Sequence, residues 1–92
     1  MNFRLFICMK LILKDDAYPD ELQKGEAIVV TGKEGILQLI ICCPICGQSS
    51  SSAGNHVFNR ETMSYTPSVV HNKDLGGCGA HYWITNGEII FC

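Results

Sequence analysis

The sequence predicts a mainly β fold: a small domain of antiparallel sheet with a C-terminal hairpin and one short helical turn. Three observations predict it. The apolar, β-branched runs are short and are separated by glycine, proline and asparagine. Asn86-Gly87 stands between two such runs, and this pair suits a tight hairpin turn whose central residues both need positive φ. Two pairs of potential metal ligands, Cys43-x-x-Cys46 and Cys78-x-x-His81, each lie in a glycine-bounded bend.

Each element follows from local chemistry. Residues 3–13 are apolar and partly alternating, with Leu11 and Leu13 on one face, and read as a strand, or as a disordered start followed by a strand from about Met9. Lys10 interrupts the run, and Lys14, Asp15 and Asp16 close it without a small-residue cleavage site, so an export signal is not expected. The run is also too short to span a bilayer. Residues 18–25 read as one helical turn. Pro19 suits its first position, Asp20 and Glu21 sit near the positive end, and Gly25 can take the left-handed conformation that ends it. Residues 26–31 and 36–42 read as strands, the second well buried, joined by the turn Lys33-Glu34-Gly35. Residues 48–55 are rich in serine and glycine and read as a solvated loop. Val57 and Phe58 open another strand. Pro67 has no N–H for a ladder, so the chain is expected to bend or run along an edge there. Residues 72–79 form a glycine-rich loop that leads into the final hairpin.

Composition narrows the class. The 92 residues imply a single domain, 1–92. At this size the cost of ordering the chain, about 1.5 kcal/mol per residue, roughly cancels what apolar burial returns, so a staple is expected. The chain is 47% hydrophobic and 17% charged, which is apolar enough for a packed core and argues against disorder. Its formal net charge is -2 and its lysines and arginines are scattered, which argues against a nucleic-acid surface. Six cysteines without an export signal point to an intracellular, cytoplasmic chain whose thiols bind metal rather than pair.

Three thiolates and one imidazole make a closed tetrahedral zinc set, here Cys43, Cys46, Cys78 and His81. Clamping the long segment between the two pairs would restrict the unfolded chain. Alternatives for single ligands are His71 in place of His81, and Cys42 in an altered register. A redox Cys-x-x-Cys or an iron–sulfur site fits less well, for want of a following helix and of the histidine spacing of a Rieske centre. Strand alternation should turn Cys42 away from Cys43. Cys8 reads as a small buried hydrophobe, with a Cys8–Cys92 bridge open only in an oxidising compartment. Tyr82 and Trp83 should point to opposite faces, with Trp83 assigned to the core. Four protein ligands leave no open position for water, and neither His-x-Glu-x-x-His nor a zinc-deaminase pattern is present. The serines at 49–52 have no base placed beside them. No catalysis is therefore expected, and the zinc is expected to be structural.

Several segments together resemble a family. They are Pro19-Asp-Glu-Leu22-Gln-Lys-Gly25, the knuckle Cys43-Pro-Ile-Cys46-Gly47, Pro67-Ser68-Val69-Val70, and Cys78-Gly-Ala-His81-Tyr-Trp-Ile84-Thr-Asn86-Gly87. In this order they resemble an uncharacterised zinc-ribbon-like family of bacteria and their phages, over residue 16 to the end. That family's knuckle is often Cys-x-Cys-Gly-Cys-Gly-like, so Cys42 and Cys43 remain alternative ligands here. Some members lie near genes for ubiquitin-like conjugation, which implies an accessory or protein-binding role. The expectation is a structural-zinc module whose partner is another protein. The alternatives are a component of a larger assembly such as a virion, and a nucleic-acid-binding zinc ribbon.

Overall fold

In a computed structural model, residues 8–51 and 55–91 are described, and the fold they form is two β-sheets. In chain order the strands are β1 (Cys8–Lys10), β2 (Ile12–Leu13), β3 (Glu26–Thr31), β4 (Leu37–Cys42), β5 (Ser49–Ser51), β6 (Val57–Asn59), β7 (Ser64–Val70), β8 (His81–Thr85) and β9 (Glu88–Phe91). One sheet has the order β1-β9-β8-β7-β6 and is antiparallel throughout. The other has the order β2-β3-β4-β5, with β2 and β3 parallel. The other pairings among the described strands are antiparallel, as the mainly β, antiparallel class expects. The helical turn at Pro19–Glu21 carries the chain back, so that β3 starts beside β2 in the same direction.

The local signals act as their chemistry requires. Glu21 Oε1 accepts the Tyr18 N–H at 2.9 Å at the start of the Pro19–Glu21 turn. Gly25 has φ +85°, and Gly25 N donates to the carbonyl of Cys42, tying this corner to the end of β4. Asn86 and Gly87 both have positive φ, 52° and 77°, as the tight turn between β8 and β9 needs.

Alternation builds the core. β8 reads exposed-buried along its length, sending Tyr82 and Ile84 inward and His81, Trp83 and Thr85 outward. Phe58 of β6, Tyr65 and Val69 of β7, and Ile89 of β9 join them from the first sheet; Ala27, Leu39 and Ile41 face them from the second. Tyr65 spans the two layers, its hydroxyl accepting the Leu39 N–H at 3.2 Å, so a fully buried polar atom is paired.

Three expectations change. Trp83 is 47% exposed while Tyr82 is 2% exposed, because only one of two neighbours on a strand can face the core. Cys8 is exposed, since it lies on the outer face of β1 opposite Ile90. Residues 49–51 of the serine-rich stretch form β5 on the open edge of β4 rather than a loop, because the ladder uses backbone groups that any residue supplies. Residues 3–7, the tip at 52–54 and Cys92, with its suggested bridge, lie outside the described residues.

Pro67 sits where β7 loses its regular ladder. β6 pairs with β7 only as far as Thr66, and the register with β8 shifts between Tyr65 and Val69. Beyond the shift, Val69 faces Tyr82 and Val70 faces His81. Thr66–Pro67 is a cis peptide. This irregular stretch carries Ser68.

Candidate functional site

Two groups of reactive side chains flank the connection between β7 and β8. The first is built from two bends. In the knuckle after β4, Gly47 N donates to the carbonyl of Cys43 and Cys43 N donates to that of Gln48, so Cys43 and Cys46 are brought onto one turn. Gly47 has φ +80°, which its lack of a Cβ permits. In the β7–β8 loop, His71 N donates to Ala80 O at 2.8 Å and Gly79 N to His71 O at 2.6 Å, drawing the two ends of the loop together. A Cβ on Gly77 would meet His71 O at 2.5 Å, so the chain passes closer to His71 than any other residue allows.

The result is a cluster of Cys43, Cys46, His71 and Cys78 whose ligand atoms all lie within 4.8 Å of one another. Cys43 Sγ is 3.6 Å from Cys78 Sγ, and His71 Nδ1 is 3.5 Å from the sulfurs of both Cys46 and Cys78. A tetrahedron with metal–sulfur bonds of about 2.3 Å has edges of about 3.8 Å, so these spacings fit a single ion. No described cysteine is oxidised: Cys8, Cys42, Cys43, Cys46 and Cys78 are free thiols. The donors differ in electrostatics. Burial pushes the Cys43 thiol up to about 11. The backbone N–H of Ala80, and after it His71, draw Cys78 down to about 6, so this sulfur is largely thiolate near neutrality. Tyr82 lies behind the cluster, and burial followed by the thiolate charges, Cys43 first, raises its hydroxyl.

His81, expected as the fourth ligand, is not in this cluster; His71 takes that place. Cys42 is buried on the other side of the knuckle, its thiol 3.2 Å from Gly47 O, as alternation predicts.

The second group is where His81 goes. Its Nε2 lies 2.9 Å from Ser68 Oγ. Ser68 is held from behind by His56, whose Nε2 donates to the Ser68 carbonyl at 3.0 Å, and His56 is itself tied to the other sheet through Gln38 Nε2 at 3.1 Å. A serine hydroxyl bonded to an imidazole nitrogen is the contact through which a base activates a nucleophile. Sequence reasoning missed it. It looked for a partner near the serines at 49–52, whereas strand pairing, with Val70 opposite His81, brings a histidine to Ser68.

Against known proteins, the family model described as bacterial ubiquitination-like system serine protease (BubE) matches residues 14–92. No curated protein and no solved structure gives a significant match. The expectation that the chain is not an enzyme is overturned by the family's description as a serine protease. It rested on counting metal ligands, and that count says nothing about a serine elsewhere on the sheet. Among the described residues no helix is long and apolar enough to cross a membrane.

Proposed function

The chain belongs to the family of bacterial ubiquitination-like system serine proteases, and from that premise we propose that it is a serine peptidase in which Ser68 is the nucleophile and His81 its general base, acting on a polypeptide of such a system. The observation that carries the reading is the 2.9 Å contact between Ser68 Oγ and His81 Nε2. With the ring proton on Nδ1, Nε2 is an acceptor and the Ser68 hydroxyl donates to it. As Oγ forms its bond to the scissile carbonyl carbon, its proton passes to Nε2. The same proton then goes to the departing amine as the C–N bond breaks, leaving an acyl ester on Ser68. Water, deprotonated by His81, hydrolyses that ester and restores the pair. His56 acts on the backbone, fixing the Ser68 carbonyl so that the hydroxyl stays turned toward His81.

Cys43, Cys46, Cys78 and His71 would hold zinc, three thiolates and one imidazole being a frequent structural set. Zinc, when bound there, supplies a closed node that fixes geometry. Two of its members, His71 and Cys78, lie in the loop that joins β7 to β8, and the other two follow β4, so the cluster would tie the loop end of the hairpin that presents Ser68 and His81 to the second sheet.

A fluorophosphonate probe tests the reading. Mass spectrometry should find the adduct on Ser68, and His81→Ala should slow its formation by about 10³-fold or more. Peptide-bond cleavage should disappear in Ser68→Ala and persist in Ser50→Ala. An adduct on another serine, or a folded Ser68→Ala variant that cleaves as the parent does, would refute it.

A further inference from the structure

We propose that Trp83 is the specificity-determining residue of this site, forming an apolar shelf that takes a bulky apolar side chain of the substrate beside the scissile bond. The inference rests on the reading of Ser68 and His81 as a peptidase pair.

The pair lies on the outer face of the five-stranded sheet, the face turned away from the core. Alternation along β8 puts His81 and Trp83 on that face together, their ring centroids 6.5 Å apart. Along β7, Val70 is 55% exposed and sits directly opposite His81. Ser68 lies in the irregular stretch just before Val69, and its Oγ reaches His81 Nε2 at 2.9 Å. The nucleophile and its base are thus flanked by two exposed apolar side chains, an aliphatic one and an indole.

Isolated exposed hydrophobes are ordinary on protein surfaces. These two are distinguished by where they sit. The chain's single tryptophan, its largest apolar side chain, is left out of a core that accepts two tyrosines at 0% and 2% exposure. The occupant follows from continuity with the Ser68–His81 pair, because the substrate must lie across Ser68 for the reaction to occur. A permanent partner on the same face would bury the nucleophile. An open sheet face gives a polypeptide no walls, so side-chain contacts must hold it, and an indole offers large rigid area at little entropic cost. The rest of the face is mixed, with Thr85, Glu88 and Lys10 exposed, so it selects no single charge. The class preferred is therefore aliphatic or aromatic.

Two fluorophosphonates of equal length, one with an alkyl arm and one with an oligoethylene glycol arm, test this. With each, the Ser68 Oγ–P bond forms, the P–F bond breaks with loss of fluoride, and the serine proton goes to His81. The alkyl probe should react faster by roughly tenfold to a hundredfold. Trp83→Ala should abolish that preference, and Trp83→Phe should keep most of it. Because Trp83 is the only indole, its emission should shift to the blue on labelling with the alkyl probe and stay put with the glycol probe. If both arms react equally, or Trp83→Ala keeps the preference, the shelf is refuted while the peptidase reading stands. If no probe labels Ser68 in the folded chain, the peptidase reading fails and this inference falls with it.

Discussion

His71 and His81 bracket the same loop, yet one faces three sulfurs and the other a serine hydroxyl. The difference lies in the backbone each belongs to. His71 comes after the last residue of β7, where no pleat dictates its direction, and the hydrogen bonds of the loop fold its ring back toward the knuckle. His81 is the first residue of β8. Its neighbour Tyr82 must point into the core, so His81 must point out, away from the cluster and onto the open face where Ser68 lies. Spacing along the chain sets how far a ligand can reach, but the pleat of a strand decides to which side it reaches.

The largest effects should come from exchanging the roles of these two histidines. Cys43→Ser, Cys78→Ser and His71→Ala should each lose the metal and much of the folded state, since apparent zinc energies of about 10–16 kcal/mol dominate the stability of chains this size. His81→Ala should keep a full equivalent of metal and a parent-like thermal transition, while losing reactivity at Ser68. Elemental mass spectrometry and thermal unfolding on the same four preparations give the comparison. Metal retained in His71→Ala and lost in His81→Ala would restore the sequence-based ligand set and remove the base from Ser68.

A smaller effect tests how the loop turns His71. Gly77→Ala would place a methyl group 2.5 Å from His71 O and 2.7 Å from its ring carbon Cδ2. The loop has to open to admit it, at a cost of about 1–3 kcal/mol. Metal affinity should fall in step, because the moved ring carries a ligand atom. Gly76→Ala serves as the contrast: its Cβ meets nothing within 4 Å, although its φ of +90° still costs some strain. Chelator competition should therefore rank the parent first, Gly76→Ala next and Gly77→Ala last. Equal affinities for the two variants would mean that the approach to His71 does not hold the ligand in place.

The same division separates what was legible in the sequence from what was not. The sheet class, the turn at Pro19, the hairpin at Asn86-Gly87 and three of the clustered ligands all come from signals confined to a few neighbouring residues. The histidine of the cluster was less legible. Two histidines lay within reach in the sequence, and the start of β8 at His81 turns that one away while His71 joins the sulfurs. The Ser68–His81 contact was still less so, because it depends on a register that shifts between Tyr65 and Val69, and nothing local announces that shift. Trp83 was misplaced for a related reason: hydrophobicity argues for burial, but the pleat had already given the inward position to Tyr82.

The smallest expected effect tests the pleat at the other end of the cluster, where Cys42 and Cys43 stand side by side. Cys43 follows the last residue of β4 and its sulfur joins the cluster. Cys42 is that last residue, paired with Ser49 in the ladder, and its thiol turns the opposite way toward Gly47 O. If direction rather than proximity makes the ligand, Cys42→Ala removes only a buried sulfur and a weak S–H donor. The cost should be about 1 kcal/mol, read from urea unfolding, with the metal content unchanged. Cys43→Ala, one residue away, should lose the metal altogether. A Cys42→Ala protein that fails to hold metal would mean that the knuckle uses Cys42 in the bound state. β4 would then have to end one residue earlier than it does here, giving up the Cys42–Ser49 pair.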